Sequence, residues 1–272
     1  MAESIAAIAD SILAARDSGS QIPPITDGNP DFDLAAAYRV SAAIAERRTA
    51  TGERPVGWKI GFTNRTIWDE YGVHAPIWGP VYDTTTASVS ASATIEAPLA
   101  RLAEPRIEPE IAFRIATPPE PAMDDRALFG CIDGITHGFE IVQSVFPGWR
   151  FKAADTVAAF ALHARLYHGP FVTPSEGEGE GGWIGRLTAF EIVLSRDSEF
   201  VDRGRGADVL DSPLAALGHF VRGLDRVTGE RLKPGDVVTT GTVTRAFPVS
   251  AGETWQSEIV GLPLSGLTIR FT

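Results

Sequence analysis

Apolar positions follow helical spacing in the first fifty residues of the chain. Ile5, Ile8 and Ile12 recur every three to four residues, and an alanine-rich segment repeats this spacing from residue 33 to residue 48. A proline pair at Pro23 interrupts the pattern between the two segments. The pattern therefore predicts two helices, which we interpret as an N-terminal helical cap over residues 1–55.

From residue 56 onward, short apolar segments alternate with glycine and proline, which is typical of strands and turns. The predicted strands cover residues 56–62, 107–115, 136–142, 187–194, 237–242 and 267–271. Helical stretches are predicted near residues 65–71, 154–165 and 213–224, the last opened by Ser212 as N-cap and by Pro213. With no clear linker, the cap and a β-rich body over residues 56–272 are expected to form one α+β domain.

Two carboxylates share one face of the predicted strand 107–115. Side chains alternate along a strand, so Glu108 and Glu110 point the same way. The opposite face is apolar and carries Ile107, Ile111, Phe113 and Ile115. Two like charges this close need a neutralising partner, and a divalent cation is one candidate. A solvated strand face screened by Arg106 and Arg114 is the alternative.

A third carboxylate, Glu140, interrupts the apolar strand 136–142, where a charge is rarely left unpaired. Together with Glu108 and Glu110 it forms a set of hard oxygen ligands that suits Mg²⁺ or Mn²⁺ and leaves positions for water and a chelating substrate. Spacing alone does not place the two strands side by side, so the three-carboxylate site is a hypothesis at this point.

Composition excludes several classes of protein. The 272 residues are 44% hydrophobic and carry a formal net charge of -11, which argues against nucleic acid as a partner. Cys131 is the only cysteine, so no disulfide framework is expected. The acidic N-terminus does not resemble a secretory signal, and no apolar stretch reaches the ~20 residues of a membrane span. We therefore expect a cytoplasmic protein without a membrane partner.

One segment matches a phosphate-binding motif, but its surroundings in the sequence do not fit that function. Gly177, Gly179 and Gly182 fit G-x-G-x-x-G, but glutamates separate them and Pro174 precedes them, so an acidic surface loop is predicted there.

Several segments together resemble a known family. They are the segment 57–63 (GWKIGFT), the segment 106–112 (RIEPEIA), Glu140, the segment 155–158 (DTVA) and the segment 239–241 (TTG). Their order is similar to that in the 2-keto-4-pentenoate hydratases of the fumarylacetoacetate hydrolase superfamily, which also includes 4-oxalocrotonate decarboxylases. The resemblance covers essentially the whole chain. It implies a mixed, barrel-like sheet, a homo-oligomer, and Glu108, Glu110 and Glu140 as Mg²⁺ ligands.

The resemblance also implies a chemistry and candidate residues for it. A 2-hydroxydienoate or 2-oxo acid would chelate the cation, which stabilises an enolate. Lys59, charged between Trp58 and Ile60, is the candidate acid or electrostatic anchor, and a surface lysine is the alternative. Asp155 resembles a pocket residue of the family, although its position alone predicts a helix cap. Thr240 and Gly241 are candidates for binding the substrate carboxylate.

Two departures from the family pattern concern the pocket. Where the typical hydratase has Asp-Asn-Ala-Ser, residues 159–162 read Ala-Phe-Ala-Leu, and where it has Pro-Asp-Tyr/Phe-Gly, residues 76–79 read Pro-Ile-Trp-Gly. If Ile77, Phe160 and Leu162 line the pocket, we expect substrates with an apolar tail to be preferred over compact dicarboxylates. His74 with Glu70 could supply a proton-transferring dyad, and an exposed loop histidine is the alternative.

Three functions remain open from the sequence. The first is a Mg²⁺-dependent hydratase of 2-hydroxydienoates in aromatic-type catabolism, and the second is a C–C bond-cleaving relative, either a decarboxylase or an acylpyruvate hydrolase. The third is a non-catalytic subunit that binds a 2-oxo acid or a metal ion.

Overall fold

The computed structural model describes residues 4–65, 68–71, 73–174 and 182–272. The chain begins with helices α1 (Ile5–Ser18), α2 (Ile25–Gly28) and α3 (Leu34–Ala50). Ser4 caps α1 and Asp33 caps α3, because each side chain accepts a hydrogen bond from a backbone N–H in the first turn. The apolar faces of α1 and α3 share one buried cluster. The two N-terminal helices predicted from spacing are confirmed.

Most of the chain forms two sheets with helices packed on them. The strands are β1 (Pro55–Gly61), β2 (Ile77–Tyr82), β3 (Thr86–Ser88), β4 (Thr94–Ala97), β5 (Arg106–Ile115), β6 (Ile132–Val142), β7 (His163–His168), β8 (Glu191–Arg196), β9 (Glu199–Arg205), β10 (Val237–Thr242), β11 (Phe247–Pro248), β12 (Thr254–Val260) and β13 (Thr268–Phe271). The further helices are α4 (Trp68–Tyr71), α5 (Asp125–Phe129), α6 (Ala153–Ala158), α7 (Trp183–Ala189) and α8 (Pro213–Thr228).

The larger sheet is mixed and holds the strands that matter for function. Its order is β2-β1-β10-β5-β6-β7-β3, with β11 paired to β5. The β1–β10 and β3–β7 pairs are parallel, and the β10–β5 and β5–β6 pairs are antiparallel. The smaller sheet has the order β4-β13-β12-β8-β9. The expected α+β fold with a mixed, curled sheet is confirmed.

The core lies on the apolar face of β5, opposite the glutamates. Ile111 and Phe113 share a buried cluster with Leu217 and Phe220 of α8, whereas Ile107 packs in the cluster that contains the smaller sheet. Within the described ranges, no helix is both long and apolar enough to span a bilayer.

Two predicted boundaries are wrong. The helix expected over residues 154–165 ends at Ala158, because Phe160, Ala161 and Leu162 all have positive φ angles, and β7 starts directly afterwards. The strand expected over residues 187–194 is divided between α7 and β8. Both segments are rich in apolar residues that pack on several sides, so their spacing does not distinguish helix from strand.

The other predicted elements either agree with the structure or lie outside the described residues. The strands predicted at 56–62, 107–115, 136–142, 237–242 and 267–271 correspond to β1, β5, β6, β10 and β13. The helix predicted at 213–224 is α8 with Ser212 as its N-cap, and α4 lies inside the stretch 65–71. The acidic loop predicted around Gly177 and Gly179 lies outside the described residues.

Candidate metal centre

Three carboxylates meet where β5 pairs with β6. Glu108 lies opposite Glu140 in the antiparallel register, and Glu110 lies opposite Gly138. One oxygen from each of the three glutamates lies within 4.8 Å of the others. Glu110 and Glu140 are each 1% exposed, and Glu108 is half-buried. The adjacency that spacing left open is thus present, and the carboxylates share one face as predicted.

Two oxygens in this cluster lack hydrogen-bond partners among the described residues. Glu110 Oε2 accepts a hydrogen bond from the Gly241 N–H at 2.9 Å, but Glu110 Oε1 accepts none. Glu140 Oε2 lies 3.2 Å from Lys59 Nζ, an ion-pair contact without hydrogen-bond geometry. Buried polar atoms are rarely left unsatisfied, and unpaired carboxylate oxygens are the ligands that hard divalent cations take. The residues present therefore fit such a cation.

The charges of the cluster are unbalanced without a cation. Burial, together with repulsion from Glu140 and Glu108, raises the pKa of Glu110 well above its usual range. Burial also raises the pKa of Glu108 to about 7, against the attraction of Lys59. For Glu140, the attraction of Lys59 and the hydrogen bond from His163 outweigh burial and lower the pKa. The metal-free cluster therefore keeps a proton that a divalent cation would displace.

Lys59 is the buried cation of the site. Its Nζ donates a hydrogen bond to the Ala161 carbonyl at 3.1 Å, and the residue is 2% exposed. Burial lowers the pKa of Lys59, but the attraction of the three glutamates is stronger and raises it above the ordinary value. The surface-lysine alternative is therefore wrong. Its place beside the carboxylates agrees with the predicted anchor.

Sequence reasoning missed His163, which braces one of the carboxylates. Its Nδ1 lies 2.7 Å from Glu140 Oε1, and its Nε2 lies 2.9 Å from Thr85 Oγ1. Burial lowers the pKa of His163, which favours the neutral ring, and beside the carboxylate this ring donates from Nδ1 to Glu140. The residue lay inside the segment predicted as helix, so it was assigned to no strand face. A histidine surrounded by apolar residues was the available signal.

Gly241 positions a carboxylate from the other side. Its φ is +97°, and a Cβ at this position would lie 1.8 Å from Thr63 Oγ1, so only glycine fits. Its N–H donates a hydrogen bond to Glu110 Oε2, and the Thr240 hydroxyl donates one to the Ile111 carbonyl, each at 2.9 Å. These contacts hold β10 and Glu110 in place. The contact of Thr240 and Gly241 with a substrate carboxylate stays a prediction.

Asp155 has a structural role. Its Oδ1 accepts a hydrogen bond from the Thr26 N–H at 3.0 Å, and its Oδ2 accepts bonds from the Thr26 hydroxyl and the Lys152 N–H, each at 2.8 Å. The carboxylate is fully buried and joins α2 to the start of α6. The contact with the Lys152 N–H agrees with the helix-cap alternative, and the catalytic role implied by the resemblance stays a prediction.

A cavity leads from the carboxylates to the surface. Its lining residues are Lys59, Gly61, Phe62, Thr63, Asn64, Ile77, Arg106, Glu108, Val142, Trp149, Phe151, Ala161, Leu162, Gly241, Thr242 and Ala246. Ile77 is on the wall, as predicted. Phe160 is not, because its ring lies under the guanidinium groups of Arg16 and Arg48, 4.8 and 5.4 Å away. Leu162, also predicted to line the pocket, lies on its apolar wall.

Of the predicted dyad of His74 and Glu70, His74 is not among the described residues that line this cavity. His74 lies exposed in the connection between α4 and β2, which agrees with the loop-histidine alternative. Glu70 belongs to α4, and its side chain lies outside the described part of the structure. A role for the dyad stays a prediction.

Comparisons with known proteins agree with this architecture. Residues 71–269 match the fumarylacetoacetate (FAA) hydrolase C-terminal family. A 2-keto-4-pentenoate hydratase from Paraburkholderia xenovorans (strain LB400) is 31% identical over 257 residues, covering 93% of this chain and 90% of the relative. A 4-oxalocrotonate decarboxylase from Pseudomonas sp. (strain CF600) is 28% identical over 257 residues, covering 92% and 91%. The solved structure of 4-oxalocrotonate decarboxylase from Pseudomonas putida G7, complexed with magnesium and adipate, matches with a TM-score of 0.89 at 26% identity, covering 98% and 97%.

The metal-free protein should lose stability as the pH rises toward neutral. The pKa values of Glu108 and Glu110 are raised in the folded chain, so folding retains protons that the unfolded chain releases above its ordinary carboxyl pKa. This contribution is complete below that ordinary pKa and is lost as the pH rises through about 7, the folded pKa of Glu108. In a chelator, the melting temperature should fall over this window, and saturating Mg²⁺ should remove the fall.

The matched variant for this measurement is Glu110→Gln, which removes one repelling carboxylate without changing its size. It should show a smaller fall in melting temperature with pH and no stabilisation by Mg²⁺. In a chelator, a fall in melting temperature with pH that is as large in Glu110→Gln as in the wild type would contradict the charge balance described above.

His163→Phe should weaken Mg²⁺ binding by roughly 10- to 100-fold, because Glu140 loses the N–H that orients it. Isothermal calorimetry measures this directly. His168→Phe is the control, since His168 is a buried histidine on the same strand whose Nδ1–H donates to the Gly169 carbonyl. Glu140→Gln should abolish binding. Equal losses in the two histidine variants would show general damage to β7 and would refute a specific brace.

Proposed function

Since the chain belongs to the fumarylacetoacetate hydrolase family, we propose that it is a Mg²⁺-dependent (or Mn²⁺-dependent) lyase that hydrates 2-hydroxy-2,4-dienoates through the corresponding 2-oxo acid. The observation that carries this proposal is the buried cluster of Glu108, Glu110 and Glu140 beside Lys59, at the inner end of a cavity. Its relatives are hydratases and decarboxylases of aromatic-type catabolism, and the chain is an enzyme. The non-catalytic alternative is therefore set aside.

The cofactor is a divalent cation, which Glu108, Glu110 and Glu140 would hold. When bound, such a cation supplies Lewis-acid polarisation of the carboxylate and C2 oxygens of a chelating 2-oxo acid. The protein orients the three ligands through the Gly241 N–H and through His163. These contacts pre-position the carboxylates, so little reorganisation is needed when cation and substrate arrive.

Lys59 acts as a fixed positive charge. The Ala161 carbonyl accepts a hydrogen bond from the ammonium group and holds it on the cavity side of β1, next to the three glutamates. A permanent charge in a water-poor site stabilises negative charge that develops on a substrate oxygen. Of the two roles predicted for Lys59, the electrostatic anchor is therefore favoured over the proton donor.

Decarboxylation is the second candidate reaction, because 4-oxalocrotonate decarboxylases are among the relatives of this chain. Loss of CO₂ from a 2-oxo acid needs charge stabilisation at the C2 oxygen but no added water. The strong structural similarity to a 4-oxalocrotonate decarboxylase supports the same candidate.

The substrate is a small molecule. We also propose an oligomeric state and a cellular location. We propose a homo-oligomer, supported by Phe200, which is 66% exposed on β9 at the edge of the smaller sheet. A cytoplasmic setting is supported by the free, buried thiol of Cys131. Light scattering of the purified protein measures the oligomeric state, and a monomer would refute that part.

Purified protein with Mg²⁺ should consume 2-hydroxypenta-2,4-dienoate or release CO₂ from 4-oxalocrotonate, and a chelator should stop either reaction. Lys59→Met should lower turnover by roughly 10²-fold or more, because the developing negative charge loses its fixed counter-charge. Mg²⁺ affinity, measured by calorimetry on the same variant, should be retained. Turnover that is unchanged in Lys59→Met would remove the anchor role, and inactivity of the wild type on both compounds would refute the proposed function.

A further inference from the structure

Arg106 shares a strand face with the metal ligands. It is the first residue of β5, and alternation places its side chain on the same face as Glu108 and Glu110. Each two-residue step along a strand is about 7 Å, so Arg106 lies one step outward from Glu108. It lines both the cavity at the carboxylates and an open cleft outside that cavity, formed by residues 21–27 and 147–152.

An aromatic platform holds the Arg106 guanidinium. The centre of this group lies 4.0 Å from the centre of the Trp149 ring. Trp149 is itself fixed, because its Nε1–H donates to the Glu104 carbonyl and the neighbouring Gly148 N–H donates to the Glu104 carboxylate, each at 3.0 Å. Trp149 also has a φ of +58°, a strained conformation for an aromatic residue. The platform is therefore built into the fold.

The edge of the guanidinium remains available. Across the described ranges, Arg106 forms no close ion pair and no hydrogen bond. Its charge attracts Glu108 from a longer distance and, against the larger effect of burial, lowers the pKa of that carboxyl. A guanidinium stacked by its face still presents its N–H groups in the plane, where they match the two oxygens of a carboxylate. Arg106 is half-buried, so such a pair would be partly shielded from water.

The cavity between the two charged ends has an apolar wall of Ile77, Val142 and Leu162, and its polar lining residues include Thr63, Asn64 and Thr242. A 2-oxo acid held at Glu108, Glu110 and Glu140 would run its carbon chain past Ile77, Val142 and Leu162, and its far end would reach Arg106. We propose that Arg106, on its Trp149 platform, is the specificity subsite for a second, distal carboxylate, so that 2-oxo dicarboxylates are preferred over monocarboxylates of equal length. This rests on the proposed function, and it departs from the preference for an apolar tail expected from the sequence.

The test compares two ligands that differ only at the far end, 2-oxohexanoate and 2-oxohexanedioate. Calorimetry with saturating Mg²⁺ should show the dicarboxylate binding at least about 10-fold tighter to the wild type, the scale of one hydrogen bond to a charged group. Arg106→Met should reduce this preference to about one while leaving 2-oxohexanoate affinity within about twofold. Trp149→Leu should reduce the preference partly, because the guanidinium loses its support.

Arg150→Met is the matched control, since Arg150 is an exposed arginine of the same outer cleft. It should leave the preference intact. Equal weakening of both ligands in Arg106→Met would place Arg106 at the metal end and overturn the subsite. Loss of the preference in Arg150→Met, or its absence in the wild type, would also overturn it. If neither ligand binds the wild type with Mg²⁺, the proposed function fails and the subsite fails with it, whereas binding without preference removes the subsite alone.

Discussion

The site depends on burying three carboxylates beside a single lysine. In the low-dielectric interior, this excess of negative charge opposes folding unless protons or a cation balance it. The surrounding residues limit that cost by assigning partners to particular oxygens: Gly241 to Glu110, and His163 and Lys59 to Glu140. Two oxygens are still left without hydrogen bonds. The fold therefore gives up stability in its metal-free form to keep a ready-made cation site, a common trade at functional sites.

Strand alternation is the reason that the centre of this site was visible in the sequence. Side chains alternate along a strand with a period of two. Glu108 and Glu110 therefore lie on one face of β5, and the apolar Ile111 and Phe113 lie on the other. The assignment of Glu140 to the same site depends on the pairing of β5 with β6, which spacing along the chain does not give. The resemblance to a family supplied that assignment. Lys59 was identifiable because a charge between apolar neighbours on a strand needs a buried partner.

The features that the sequence did not predict have a shared physical origin. Asp155 and His163 are defined by partners more than 20 residues away, Thr26 and Glu140, which no local pattern reports. Phe160 was expected on the cavity wall because it replaces a polar residue of the typical hydratase. Three consecutive residues with positive φ turn its ring away and bring Leu162 to the wall. Tertiary packing overrides local propensity at such turns, and they lie next to the site.

The tie between Thr26 and Asp155 also constrains the order in which the chain can fold. The two residues are 129 positions apart, so α1, α2 and α3 leave the ribosome long before α6 exists to receive them. Until then, the apolar faces that contain Ile12 and Val40 have only each other to cover them. The helical cap is therefore synthesised well before the residue that fastens it to α6, and its apolar faces depend on their own mutual packing during that interval.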